Sequence, residues 1–186
     1  AVALRNGLYA DFNPKPLSNQ PGNGFHINIS VKSASEANYM NAIIAGILDK
    51  ISEMTLFLNP LESSYERLGK NKAPLYISWS KENRSQLIRV PAALGEYQRV
   101  ELRSPDPSTN TYLAFALIIY AVLEGIHNKI KLTPSTDINL YQADKDTLVS
   151  LKQLPDNFKS ACFKAADSPF IRKHIPEAIL NIYCKQ

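Results

Sequence analysis

The longest apolar run in this sequence is residues 112–123, Tyr-Leu-Ala-Phe-Ala-Leu-Ile-Ile-Tyr-Ala-Val-Leu, and it follows directly on a turn-forming stretch, Ser104-Pro105-Asp106-Pro107-Ser108-Thr109-Asn110. Its 12 residues fall short of the about 20 that a membrane span needs. A run without a polar face, entered through residues that accept free backbone N–H groups, predicts a helix buried on all sides and reaching about Ile126. Asp106 or Ser108 is the expected cap. Such a helix must be wrapped by other elements. With 45% apolar and 20% charged residues in a chain of 186, a real core can form, with room for one ordinary domain or a little more.

Upstream, residues 25–31 alternate: Phe25, Ile27, Ile29 and Val31 face one way, and His26, Asn28 and Ser30 the other. That period predicts a strand with one apolar and one polar face. Residues 35–58 carry Met40, Ile43, Ile44, Ile47, Leu48, Ile51 and Met54 at helical spacing, with Ser33 or Ser35 as cap and Asn59-Pro60 as stop. A short helix is expected at 61–68 and strands at 75–80, 87–90 and 100–104, with turns at 69–74 and 95–98. Residues 132–140 read as loop, and 144–184 as short helices punctuated by Ser168-Pro169 and Ile175-Pro176. The fold class is α+β: a few largely antiparallel strands packed with one long and one buried helix, then a helical tail. The division falls into a site-bearing part, 1–140, and the tail, 141–186.

A net charge of +4 suits an anionic ligand or an acidic partner, and lacks the dense Lys/Arg clustering of a nucleic-acid binder. Residues 1–9 hold no secretory leader, and no segment is apolar enough for a membrane. Cys162 and Cys184 fit no metal or redox spacing, so a reduced, cytoplasmic protein is expected. The opening Ala-Val-Ala-Leu-Arg-Asn-Gly resembles the last turns of a helix with Gly7 just past its end, which suggests a piece of something longer. His127 and His174 have no evident partners and read as surface residues.

Two readings of the polar faces stand side by side. Arg99, Glu101 and Arg103 share one face of their strand, which is either a surface salt-bridge ladder or part of a site. Arg67, Arg84, Arg89, Arg99 and Arg103 are either solvated or a pocket for phosphates and carboxylates, which guanidinium groups bind through paired hydrogen bonds. His26 alone reads as packed or hydrogen-bonded, or as a ligand in a cavity lined by Asn28 and Ser30. Gly22 and Gly24 allow a close backbone approach, but no Gly-Lys-Ser/Thr follows, so they form no P-loop.

Taken in order, the segments resemble glutamine synthetase. Asn13-Pro14-Lys15-Pro16 with Gly22-Asn23-Gly24-Phe25-His26-Ile27-Asn28-Ile29-Ser30 is similar to the family's Pro-Lys-Pro and Gly-Ser-Gly-Met-His motifs. Asn59-Pro60 with Ser64-Tyr65-Glu66-Arg67-Leu68, then Ala73-Pro74 through Asn83-Arg84-Ser85 and Ile88-Arg89-Val90-Pro91, resemble the next two. Val100-Glu101-Leu102-Arg103-Ser104-Pro105-Asp106-Pro107-Ser108 through Tyr112-Leu113-Ala114-Phe115 resembles the fourth. Order and spacing agree to about residue 140, and the tail more loosely.

The resemblance implies an ATP-dependent ligase of nitrogen metabolism. ATP phosphorylates the side chain of glutamate, ammonia displaces the phosphate, and Mg2+ or Mn2+ ions hold the transferring group. It implies His26 as a ligand of the phosphate-side metal and Glu101 of the other. Gly22, Arg67 and Arg103 would hold glutamate. Asn28, Ser30, Arg84, Arg89 and Arg99 would bind the nucleotide, with Arg84 also acting in catalysis. Partners would be glutamate, ammonia, ATP and neighbouring subunits of a homo-oligomeric ring, with no nucleic acid and no membrane. The family's β-grasp domain and its Glu-x-Glu metal ligands have no counterpart here, so the chain alone is expected to be inactive. Asn28 stands where a second His is common, Pro21 where an Asn is expected, and Lys72 where the family places a Glu in a loop one residue longer. The Lys72 loop favours a relative that joins glutamate to another amine; a non-catalytic paralogue is the further alternative.

Overall fold

The computed structural model describes residues 1–31, 39–93 and 98–185. The expected Ser33 or Ser35 cap and most of the 95–98 turn lie outside the described residues.

The long helix is the centre of the core. Helix α2 (Met40–Leu58) follows α1 (Val2–Arg5) and strand β1 (Ile27–Ile29). Its Ile43, Ile44, Ile47, Ile51 and Met54 are spaced three and four apart and are all but fully buried. It stops at Asn59, whose side-chain Nδ2 donates to the Ser104 carbonyl at 2.9 Å and to Asp106 Oδ2 at 3.0 Å. Thr109 Oγ1 donates to the Leu58 carbonyl at 2.6 Å. The end of α2 is thereby tied to the segment that follows the last strand.

Helix α3 (Glu62–Arg67) leads into strands β2 (Trp79–Lys81), β3 (Ile88–Val90) and β4 (Val100–Leu102). With β1 they form one four-stranded sheet in the order β1-β4-β3-β2. β1–β4 and β4–β3 are antiparallel, whereas β2–β3 is parallel. The parallel pair is joined by residues 82–87 alone, where a dozen or more are usual; Glu82, at φ +69°, lets the chain double back this tightly. The first expected strand is shorter than 25–31. The one expected at 75–80 begins later, with Tyr76 making only an isolated bridge to Gln153.

Register decides which side chains meet. Asn28 lies opposite Glu101, Glu101 opposite Arg89, and Arg89 opposite Ser80. One polar row thus crosses the sheet, while Ile27, Leu102 and Ile88 form the apolar row on the other face, where they join the core.

Helix α4 (Thr111–His127) corrects two expectations. It is not buried on all sides. Ala114, Leu117, Ile118, Ala121, Val122 and Gly125 face inward, whereas Tyr112 is 86% and Ile119 57% exposed. Its cap is neither Asp106 nor Ser108 but Asn110, whose side chain accepts from the backbone N–H of Tyr112 and Leu113. Asp106 is committed to Asn59 and Ser108 instead.

The tail folds as expected into short helices, α5 (Lys145–Val149), α6 (Phe158–Asp167), α7 (Pro169–His174) and α8 (Glu177–Tyr183). Ser168 caps α7, accepting from Ile171 N–H at 3.0 Å. His174 is not a surface residue. Its ring stacks on Tyr120 with centroids 3.8 Å apart, and its side chain is only 10% exposed. Among the described residues no helix is long and apolar enough to cross a membrane.

Candidate active site

The polar row, the end of α3 and two loops converge on an open pocket of about 470 Å3 lined by Gly22, His26, Arg67, Lys72, Arg84, Arg89, Glu101 and Arg103, among others. Of the residues singled out in the sequence, the fold therefore brings together Gly22, His26, Arg67, Arg84, Arg89, Glu101 and Arg103.

Glu101 is the hub. Strand β4 holds its backbone between two neighbours, and the residue is only 9% exposed. His26 Nδ1 lies 3.1 Å from its Oε1, Arg89 Nε 2.9 Å from its Oε2, and Arg103 Nη1 3.7 Å from Oε2. A surface ladder is therefore excluded for Glu101 and for Arg103, which is 4% exposed. Burial lowers the pKa of His26, Arg103 lowers it further, and Glu101 opposes both. The imidazole is thereby biased toward its neutral, ligand-competent form.

Arg67 and Arg103 are buried guanidinium groups, and burial lowers the pKa of each. Arg67 Nη2 donates to the carbonyls of Ser104 and, at 3.2 Å, Pro105. Its stem runs past Gly22, where a Cβ would lie 2.7 Å from Arg67 Cγ and 2.4 Å from the Pro14 carbonyl oxygen, so no larger residue fits. Arg103 donates from Nη2 to the Lys72 carbonyl at 3.2 Å, which fastens the 69–73 loop to the site. Asn71 and Lys72 in that loop have φ of +47° and +76°, a pair of left-handed non-glycine residues at the pocket wall.

Other expected residues stand apart. Arg99 Nε donates to Asn28 Oδ1 at 3.1 Å, so these two form a pair on the edge of the polar row, outside the pocket lining. Ser30 is exposed past the end of β1.

Tyr141 was missed in the sequence. It lines an adjoining cavity that shares Asn71 and Lys72 with the pocket; burial raises the pKa of its phenol, and the charges of Arg103 and Arg67 oppose that rise. The Ile138 carbonyl accepts from Asn83 Nδ2 and Gln86 Nε2, and Leu140 N–H donates to Ser85 Oγ, so the loop is pinned next to Arg84. No local signal in the sequence announces that juxtaposition.

The donor set bears on a metal. His26 Nδ1 and Glu101 Oε1 face each other at 3.1 Å, a hydrogen-bond distance, and an imidazole and a carboxylate are both groups that can hold a divalent cation. Glu101 Oε2 and Arg89 Nε are buried without a directed hydrogen bond despite their closeness. A further cation thus has a carboxylate to address. Among the described residues no group of three or more His, Cys, Asp or Glu side chains could hold a metal, so His26 and Glu101 are a partial set.

The family profile described as glutamine synthetase, catalytic domain, matches residues 1–186. The chain is 39% identical to the glutamine synthetase of Methanosarcina mazei over 98% of its own length and 44% of that protein. It is 41% identical to that of Pyrococcus horikoshii over 97% and 44%, and 35% identical to that of Staphylococcus aureus over 97% and 44%. It thus spans under half the length of these relatives. Among solved structures, a GmaS–ADP complex superposes with a TM-score of 0.85 at 29% identity, covering 99% of this chain and 46% of that one. GmaS without ligand gives 0.84 at 30%, covering 99% and 44%. The motifs, the sheet that carries them and these relatives agree: the chain belongs to the glutamine synthetase family, as part of its catalytic domain.

Proposed function

We propose that this chain is the C-terminal part of the catalytic domain of a glutamate–ammonia ligase, which converts glutamate, ammonia and ATP to glutamine, ADP and phosphate. The observation that carries this reading is the convergence of His26, Arg89 and Arg103 on buried Glu101. Phosphoryl transfer depends chiefly on positioning and on neutralising charge, and this cluster is suited to both.

His26 and Glu101 would hold one divalent cation, Mg2+ or Mn2+, between them. The two touch across 3.1 Å, so a single ion can reach both. When bound, the ion would supply neutralisation of phosphate charge, and its remaining ligands would come from outside this chain. Arg67 and Arg103, buried and unable to lose their charge at ordinary pH, orient the carboxylates of glutamate against the glycine surface at Gly22. Arg84 and Arg89 face the triphosphate, with Arg84 placed to meet the phosphoryl group in transfer. The Asn28–Arg99 pair and Ser30 border the rest of the nucleotide. Attack by the glutamate side chain on the γ-phosphorus gives an acyl phosphate and ADP; the amine then displaces phosphate. In the family's manner, neighbouring copies in a ring would complete each site.

A second reading is favoured by Lys72, which lines the pocket on the loop fastened by Arg103. An ammonium group at this place disfavours capture of ammonium ion and suits an amine that also carries an acidic group. A reduced, cytoplasmic setting fits both readings: Cys162 and Cys184 are free, and burial together with Cys184 pushes the Cys162 thiol up to about 12. The test is phosphate release from Mg-ATP by the longer protein that carries this chain. Release that requires both glutamate and ammonia supports the ligase. Release with glutamate and a larger amine only selects the second reading, and none under any combination leaves a non-catalytic relative.

A further inference from the structure

Glu101 is approached by two guanidinium groups that are held very differently. Arg103 is anchored: its Nη2 bonds the Lys72 carbonyl at 3.2 Å, its backbone N–H bonds the Leu87 carbonyl at 3.0 Å, and it is 4% exposed. Arg89 is not. Its Nε sits 2.9 Å from Glu101 Oε2, yet neither atom makes a directed hydrogen bond, and its side chain is 18% exposed toward the pocket. The contact is one of charge, held by the register that sets Arg89 opposite Glu101.

We propose that Arg89 is an internal counter-ion of Glu101 that a divalent cation must push aside, so that it sets the cation affinity of the His26–Glu101 pair. This rests on the reading of that pair as metal ligands. Two cations on one carboxylate repel each other strongly in a partly buried site, so the incoming ion and Arg89 exclude one another. Arg89 released from Glu101 enters a pocket also lined by Arg67, Arg84, Lys72 and Arg103. It is stable there only against an anion. Cation binding at Glu101 and phosphate binding at Arg89 are therefore linked, and each promotes the other reciprocally. The residue that neutralises the carboxylate in one state neutralises a phosphate in the other.

The test is titration of the longer protein that carries this chain, which supplies the remaining ligands, with Mn2+ alone, followed by the electron spin resonance signal of the free ion. Arg89→Gln should tighten binding about tenfold, within the usual range for coupled sites. Arg89→Lys, which keeps the charge, should match the wild type, and Glu101→Gln should abolish this component of binding in either background. A second measurement uses the wild type only: phenylglyoxal should modify Arg89 faster with Mn2+ present, as read by peptide mass. If Mn2+ binds in a Glu101-dependent way but Arg89→Gln leaves its affinity and Mn2+ leaves the modification rate unchanged, the inference is overturned and the metal reading stands. If no variant binds Mn2+ through Glu101, the metal reading itself fails and the inference with it.

Discussion

Gly46 and Gly125 touch through their backbones where α2 and α4 cross. A Cβ built on Gly125 would lie 2.8 Å from Gly46 Cα and 2.3 Å from the Ala42 carbonyl oxygen, and one on Gly46 would lie 2.2 Å from the Ala121 carbonyl oxygen. Neither obstacle is a side chain that can swing away. Alanine normally gains up to about 1 kcal/mol over glycine within a helix. Here the helices would have to separate, and overpacking of this kind costs about 1–3 kcal/mol. Gly46→Ala and Gly125→Ala should therefore each lower the urea midpoint of unfolding. A raised midpoint in either would show that propensity wins and that the crossing is loose.

The second prediction concerns pH. The His174 ring lies flat on Tyr120 and edge-on to Phe170, and its Nε2 is 4.0 Å from Glu124 Oε1. Glu124 is shared with Lys50 and Lys173, each 3.7 Å away. Burial lowers the pKa of His174, Lys173 lowers it further, and Glu124 opposes them. The folded pKa lies below the unfolded value, so the neutral ring is the stable form in the fold. Its contribution is complete above an unfolded pKa of about 6.5 and is lost as pH falls through the lowered folded value. Urea midpoints should accordingly fall on acidification from pH 7, and fall less in His174→Phe. Parallel slopes for the two proteins would refute the assignment.

What could be read in the sequence, and what could not, follows the range of the interactions. The alternation from Phe25 to Ser30 and the spacing from Ile43 to Met54 are local patterns, and both survive folding. The motif arginines were legible by their resemblance to a family, not by spacing, since a buried Arg103 and a solvated one look alike in sequence. The cap of α4 was misplaced because Asp106 is a good cap on local grounds but is claimed by Asn59, far away in the chain. The glycine crossing was invisible because a glycine within a helical pattern signals only a cost. His174 and Tyr141 owe their surroundings to α4 and to the arginine pocket, neither of which is near them in sequence.

Arg103 links two functions that mutation can separate. It contacts Glu101 and also fastens the Lys72 carbonyl. In the longer protein, Arg103→Ala should cost about 2–5 kcal/mol in transition-state binding, as expected when one partner of a buried charge pair is removed. The loss should appear when glutamate is varied, with ATP binding little changed. An equal loss in ATP affinity would place Arg103 on the nucleotide instead.

The last prediction concerns Lys72. The loop from Gly69 to Ala73 is closed by Gly69 N–H on the Ala73 carbonyl and Ala73 N–H on the Lys70 carbonyl, each at 3.0 Å, and by Arg103 on Lys72. It therefore presents residue 72 to the pocket from a fixed backbone, with Lys72 itself at φ +76°. A carboxylate at this place would attract ammonium ion and accept its proton; the lysine ammonium repels the ion and accepts nothing while charged. Because hydrogen bonds to the backbone hold the loop, exchanging the side chain should change the chemistry at its tip more than its position. Lys72→Glu in the longer protein should therefore raise kcat/KM for ammonia at saturating glutamate and ATP, while lowering use of amines that carry an acidic group. Steady-state rates with ammonia varied decide it: vigorous glutamine synthesis by the wild type that the substitution lowers would mean that Lys72 serves the reaction and that proton acceptance lies elsewhere.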